Sequence, residues 1–403
     1  MLFKKSFKFQ LKLNHEQLQH CSRFAGCCRF VWNKSLALKK TLWENTKSSI
    51  SQFELNNLLV QWKKEFPWLN DAPSQALQQV NKDLDQAYKN FFRHGGFPQF
   101  KKKGKHDSFR LPQGINILSD LNHKTGVVQL PKIGNVQFIK TRAIEGTVKN
   151  ATISRNAGKW YISFNCDAVD IQHDNKGREP VGIDRGVSVF AMISNGDKIE
   201  AKNPLKSNIK KLKKIQRKLS RKKKFSKNWN KQRLKISRFH NHISNIRKDV
   251  LHKSSTSIAK NHGTIVMEDL KTSNMIRSAK GTTENPGKNV KAKSGLNRAI
   301  LDQGWHMFKV MLEYKSKWYG SILILVNPQY TSQKCFACGY TDSENRKTQE
   351  LFECIKCGHS ENADINAAKN ILAAGLAVSA CGEAPLGAPV KQEPEVRKVA
   401  LAA

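Results

Sequence analysis

Four of the nine cysteines stand in two spaced pairs, Cys335-x2-Cys338 and Cys354-x2-Cys357, with 15 residues between the pairs. Each pair can present two thiolates from one turn, and a connection of that length brings both pairs around a tetrahedral Zn²⁺. Gly339 and Gly358 follow the second cysteine of each pair, where a tight knuckle calls for positive φ. Four thiolates leave no open coordination position, so this zinc is expected to hold structure over residues 331–360 rather than to catalyse. The remaining cysteines, Cys21, Cys27, Cys28, Cys166 and Cys381, are scattered and read as small buried hydrophobes.

Three acidic residues make a second set. Asp184 closes an apolar strand in Val-Gly-Ile-Asp-Arg-Gly, Glu268 closes another in Ile-Val-Met-Glu-Asp-Leu, and Asp364 lies just before the last helix in Glu-Asn-Ala-Asp-Ile-Asn-Ala-Ala. Functional groups in open α/β sheets gather at the carboxyl ends of strands. If the two strands are neighbours, Asp184 and Glu268 meet at one edge and Asp364 completes the cluster. Three such carboxylates can hold two Mg²⁺ about 3.5–4 Å apart, one activating water and the other stabilising the leaving oxygen of a phosphodiester. Singly, each acid has a plainer reading: Asp184 as a turn residue, Asp364 as a helix cap. Asp269 stands beside Glu268 and can take its place on sequence alone.

Basic residues make a third set. From Lys206 to Lys248 there are eighteen Lys or Arg and no Asp or Glu, among them Lys210, Lys211, Lys214, Arg221, Lys222, Lys223 and Lys224. Like charges at i and i+4 destabilise a helix, and a phosphate backbone relieves that repulsion. These contacts are expected to carry affinity and no sequence information.

The elements that must position these sets follow from periodicity. Residues 14–92 recur apolar at three- and four-residue spacing (Leu18, Cys21, Phe24, Cys28; Leu77, Val80, Leu84, Tyr88) and read as a helical unit opened by Asn14 as cap. Alternation as in Lys159-Trp-Tyr-Ile-Ser-Phe-Asn-Cys166 places a small β-barrel or sheet over about 97–168, joined by the strand-like segment 3–13. A linker covers 170–180. Strands 181–184, 187–194 and one from Lys198 then form an antiparallel meander, with Asn195-Gly196 favouring a type I′ turn. Two basic helices over 205–250 bury Ile209, Leu212 and Ile215 against Ile236, Phe239 and Ile243. A fourth strand 264–267, a mobile loop 277–297, a helix 298–319, a fifth strand 321–326, the cysteine set and a helix 365–374 complete the order. Residues 379–403 read as a disordered tail.

A net charge of +38 repels itself unless a polyanion neutralises it, so nucleic acid is the expected partner. No apolar stretch approaches the roughly 20 residues needed to span a bilayer. The N-terminus carries no hydrophobic signal region. The expected location is the cytoplasm.

Gly-Ile-Asp-Arg-Gly, Lys-Leu-Ser-Arg-Lys-Lys-Lys, Arg-Lys-Asp-Val-Leu-His-Lys, Met-Glu-Asp-Leu, Gln-Tyr-Thr-Ser-Gln-Lys-Cys and Asn-Ala-Asp-Ile-Asn-Ala-Ala-Lys-Asn-Ile together resemble the transposon-encoded OrfB/TnpB family, related to type V CRISPR effector nucleases. The likeness runs from Cys-Cys-Arg-Phe-Val-Trp-Asn to about residue 375. It implies a multidomain α/β and α+β chain whose RNase H-like, RuvC-type nuclease domain (171–330 and 361–378) carries the zinc ribbon as an insertion. It also implies a helical recognition lobe (14–95) and a β-barrel wedge domain (1–13 and 96–170). By the resemblance, Asp184, Glu268 and Asp364 occupy catalytic, magnesium-holding positions, and the cysteines the zinc positions. The implied partners are a guide RNA from the transposon end and a double-stranded DNA target bearing a short adjacent motif. Pro73-Ser-Gln-Ala-Leu-Gln-Gln-Val80 resembles the motif-facing helix, which makes Gln78 a candidate base reader, since a Gln amide can bond adenine bidentately. Two other functions fit the same residues: a strand-transfer transposase using the acidic triad, and a nucleic-acid binder without catalysis.

Overall fold

The computed structural model describes residues 3–93, 95–122, 124–168 and 177–380, and the chain divides into two compact units, 1–170 and 171–403. Most of the expected linker and nearly all of the expected tail, including Cys381, lie outside the described residues. No helix among the described residues is long and apolar enough to cross a membrane.

In the first unit, β1 (Phe3–Lys12) leads into α1 (His15–Thr46), α2 (Gln52–Glu65) and α3 (Ser74–Phe92). Asn14 and Gln17 close a capping box on α1, and Ser51 and Glu54 do the same on α2, satisfying amides that the first turn leaves unpaired. Then come β2 (Ser108–Leu111), β3 (Asn116–Asn122), β4 (Thr125–Leu130), β5 (Gly134–Ile139), β6 (Thr147–Asn156) and β7 (Lys159–Ala168). They form a seven-stranded sheet ordered β2-β6-β7-β1-β5-β4-β3, every pair antiparallel. Phe9, Phe138 and Phe164 pack at its centre with ring centroids 5.2–6.1 Å apart. The expected barrel is not what these strands build: β2 and β3 end the order, and no ladder joins them among the described residues. The inward ring of β2, Phe109, packs edge-on against Phe24 of α1 at 5.6 Å, so this edge is drawn onto the helices.

The second unit opens with β8 (Val181–Asp184), β9 (Val189–Ile193) and β10 (Lys198–Glu200), the expected meander. Its turn differs from type I′. Among Ser194, Asn195 and Gly196 only Gly196 has positive φ, +94°, and its N–H donates to Ile193 O at 2.9 Å. That is a type I turn closed by a glycine bulge.

Two long helices follow, α4 (Pro204–Ser220) and α5 (Lys227–Asn261). Buried Asp302 fixes the base of this hairpin, accepting from Leu205 N at 2.8 Å and from Arg247 Nη2 at 2.5 Å. Then come β11 (Thr264–Glu268), the short α6 (Thr272–Met275), α7 (Val290–Gln303), α8 (Trp305–Tyr319) and β12 (Ile322–Val326). Part of the segment expected as a mobile loop is therefore helical. The expected single helix is two, because Gly304 at φ +74° breaks it. The hairpin β13 (Leu351–Glu353) and β14 (Ser360–Asn362) precedes α9 (Ala363–Ala380), which is longer than its apolar period indicates.

The five-stranded sheet runs β10-β9-β8-β11-β12, with β8, β11 and β12 mutually parallel. Phe190, Ile265, Met267, Phe308 and Leu312 fill the core on one side. On the other, α9 lies so close that a Cβ on Gly182 would stand 2.1 Å from Ala368 O, so only glycine permits this approach.

Candidate active site and metal centre

Register alone brings two of the acids together. Met267 pairs with Ile183 across the parallel β11–β8 ladder, so the next residues, Glu268 and Asp184, stand side by side at the carboxyl ends of both strands. Asp364 reaches them from the first turn of α9, whose seat on Gly182 fixes its height over the sheet. Burial raises the Asp184 carboxyl to about 7, and the charges of Glu268 and Asp364 push the same way. Burial also raises Glu268, opposed by a hydrogen bond from Thr331 Oγ1 to its Oε1 at 2.7 Å and by Arg185. Asp269 is exposed and paired with Lys309 at 2.6 Å. Of the two adjacent acids, Glu268 is the one that joins the cluster.

Cations interleave the carboxylates. Arg346 Nη2 bonds Asp364 Oδ1 at 2.9 Å and its charge lowers the Asp184 carboxyl. Arg185 is buried and donates to the Glu268 carbonyl at 2.5 Å. Among the described residues only the cysteines bring three or more possible ligand atoms within 4.8 Å of one another. The carboxylates are coupled electrostatically yet wider apart, as expected of three like charges of which one is engaged by a guanidinium. Their donor set is hard oxygen, suited to Mg²⁺.

Neither arginine nor Thr331 was singled out from sequence. Arg346 follows the first knuckle and meets Asp364 only because α9 and the cysteine loop are tied together. Asn366 donates to Lys334 O at 2.9 Å and Asn370 to Thr331 O at 3.1 Å, both from buried side chains. The polar spacing of Asn366 and Asn370, one turn apart on a largely apolar helix, is the available signal.

Cys335, Cys338, Cys354 and Cys357 place their sulfurs within 4.8 Å of one another, with 3.8 Å from Cys335 to Cys357 and 3.6 Å from Cys338 to Cys354. A tetrahedral ion bonded to thiolates at about 2.3 Å sets sulfurs roughly 3.8 Å apart. Gly339 and Gly358 have φ of +75° and +71°, and each donates its N–H to the carbonyl of the first cysteine of its pair at 2.9 Å. The residues fit a four-thiolate metal centre.

The other predicted contacts lie on surfaces. Lys210, Lys211, Lys214, Arg221, Lys223 and Lys224 are exposed and Lys222 is half-buried, along α4 and the turn after it. Gln78 is exposed on α3, within the first unit, in a cleft shared with Gln52, Asn56, Gln75 and Lys82.

Comparison with known proteins places this geometry. A family model described as "Probable transposase" (OrfB_IS605) matches residues 163–279, one described as "Cas12f1-like, TNB domain" matches 305–371, and a "Helix-turn-helix domain" model matches 1–48. The last stretch folds here as β1 and the single helix α1. "Putative RNA-guided DNA endonuclease InsQ" of Escherichia coli (strain K12) is 49% identical over 96% of this chain and 97% of its own length. A Streptomyces pristinaespiralis protein, likewise described as an RNA-guided DNA endonuclease, is 32% identical over 94% of this chain and 91% of its own. Among solved structures, the Cas12f1-sgRNA-target DNA complex contains a chain that superposes with a TM-score of 0.55 at 16% identity, covering 92% of this chain and 98% of that one, which is a likeness of fold.

Proposed function

The chain belongs to the OrfB/TnpB family, and from that premise we propose that it is a transposon-associated RNA-guided DNA endonuclease. What supports this most is one observation: Asp184 and Glu268 stand at the ends of adjacent parallel strands, where burial, and then the charges of Glu268 and Asp364, raise Asp184 to about 7. A carboxylate so destabilised needs a counter-charge.

Asp184, Glu268 and Asp364 would hold a pair of Mg²⁺, which when bound supply an activated water and a counter-charge for the leaving oxygen. The chain's own groups do the rest. Thr331 orients Glu268 through a hydrogen bond to its Oε1. Arg185, donating to the Glu268 carbonyl, sets the strand end on which that side chain stands. Arg346 holds Asp364 in place and offers a cation to a phosphate entering the acidic cluster, which would otherwise repel it. The four cysteines would hold Zn²⁺, and Asn366 and Asn370 fix the loop between β12 and the first cysteine pair to α9. The hairpin of α4 and α5 grips phosphate backbones. The first unit serves as helical recognition lobe and wedge domain, with Gln78 reading a base of the motif beside the target. The RNA comes from the transposon end, and its base pairing supplies sequence specificity.

Asp184→Ala, Glu268→Ala and Asp364→Ala should each abolish Mg²⁺-dependent cleavage while RNA binding persists, since each removes a metal ligand and no phosphate contact. Wild-type cleavage by the Glu268 variant would overturn the triad. The "Probable transposase" description keeps strand transfer as the competing chemistry. Products with hydrolysed ends support a nuclease, and products joined through a 3′-hydroxyl support the alternative.

A further inference from the structure

The turn between α4 and α5 carries a residue that neither backbone nor core explains. Phe225 has φ +66°, the left-handed region where a side chain is strained and glycine is not, yet its ring is 80% exposed. The turn itself is firmly built. Ser226 caps α5 by accepting from Trp229 N at 3.1 Å, and Asn230 Nδ2 donates to the Phe225 carbonyl at 3.1 Å. Trp229, half-buried, lies 5.5 Å from the Phe225 ring at a 52° tilt, and Arg233 covers Trp229 at 5.2 Å. Arg221, Lys222, Lys223 and Lys224 immediately precede the ring, and Lys227 follows it. A rigid turn thus holds an aromatic face in water, at a conformational cost, inside a cluster of cations.

We infer that Phe225 is a stacking platform for an unpaired base of the bound RNA, with the surrounding lysines and arginines holding the flanking phosphates. Charge complementarity selects a nucleic acid, and an open aromatic face selects a base free of its partner, the form in which RNA loops and bulges are recognised. Position favours RNA over a displaced DNA strand. From Lys227 to Leu251, the first α5 residue in the core of the five-stranded sheet, the helix advances roughly 36 Å at about 1.5 Å per residue. A strand being cut need not travel that far from the acids, whereas a folded RNA spans such distances. This inference rests on the reading of the chain as an RNA-guided protein.

The test uses the full-length protein and the RNA that copurifies with it, extracted, sequenced and transcribed anew with a fluorescent end. Phe225→Gly relieves the strained φ and removes the ring, so it should melt at or above the wild-type temperature. It should bind this RNA about 5- to 150-fold more weakly, the range of one aromatic–base stack. Phe225→Trp should restore binding. The slope of log affinity against log salt should stay unchanged in Phe225→Gly, because stacking releases no counterions, and should become shallower when Lys222, Lys223 and Lys224 are all replaced by Ala. Wild-type RNA affinity in a well-folded Phe225→Gly protein overturns the platform. A loss confined to single-stranded DNA of the same sequence overturns the assignment to RNA. If the wild-type protein itself binds the RNA no better than unrelated RNA of equal length, the underlying RNA-guided reading falls first.

Discussion

Replacing Asp184 with Asn should stabilise the protein while destroying its activity. In the absence of divalent cations the Asp184 carboxyl stands at about 7 against an ordinary 3.8, raised first by burial and then by Glu268 and Asp364. The folded state therefore holds a proton between about pH 4 and pH 7 that the unfolded state has released. Stability from this group is complete below about pH 4, declines as pH rises to about 7, and stays low above it. A gap of about 3 units corresponds to roughly 4 kcal/mol at about 1.4 kcal/mol per unit, an upper bound because relaxation and water reduce it. Asn keeps the shape and can still accept from the backbone N–H of Arg185, but carries no charge to desolvate. With about 2–4 °C per kcal/mol for a unit of this size, Asp184→Asn should raise the melting temperature by up to about 15 °C at pH 8 in chelator. The gain should vanish near pH 4, and Mg²⁺ should stabilise the wild type far more than the variant. Calorimetry across pH measures all of this. A variant melting at or below wild type at pH 8, or a gain that persists unchanged at pH 4, would refute the account of the acidic cluster.

Cys354→Ser should release close to one equivalent of zinc and expose 331–360 to proteolysis, because a four-thiolate site supplies folding free energy; full occupancy by metal analysis would contradict it. Gly182→Ala should cost about 2 kcal/mol or more and reduce cleavage, since the new Cβ meets Ala368 O and pushes α9, with Asp364, off the sheet. Chemical denaturation and a cleavage assay read both effects, and an unchanged midpoint would mean that α9 is seated differently.

The acidic cluster was legible because it depends on strand ends. An apolar run closed by a carboxylate is a local pattern, and parallel pairing of two such runs brings the carboxylates together without further information. The cysteine spacing is equally local. Arg346 and Thr331 were not legible, since their partners Asp364 and Glu268 are reached only through the tertiary seating of α9 and the loop after β12. Residues 290–297 carry Lys, Ala, Ser and Gly with no apolar face and so read as loop, yet α7 forms there. Its Lys293 and Asn297 side chains satisfy the carbonyls of Met275 and Ile276. Strand alternation specifies a buried face and leaves closure open, so barrel and sheet stay equally open in the sequence; the strands form a sheet whose β2 edge packs Phe109 on Phe24 of α1. Gly182 is a case where sequence shows the residue and structure supplies the reason: a helix lying against a strand with no room for a Cβ.

On the proposed reading, an RNA chooses where this acidic site cuts. Purified protein, its copurifying RNA, Mg²⁺ and a double-stranded DNA library carrying every sequence beside a fixed target measure it directly, with a second reaction in which the guide segment of the RNA is rewritten. Cleavage is expected only with RNA present, only beside one short motif, and at a new position that follows the rewritten guide, with none by the Asp184→Ala protein. Equal cutting by RNA-free protein, or a cut that stays in place when the guide changes, would contradict it.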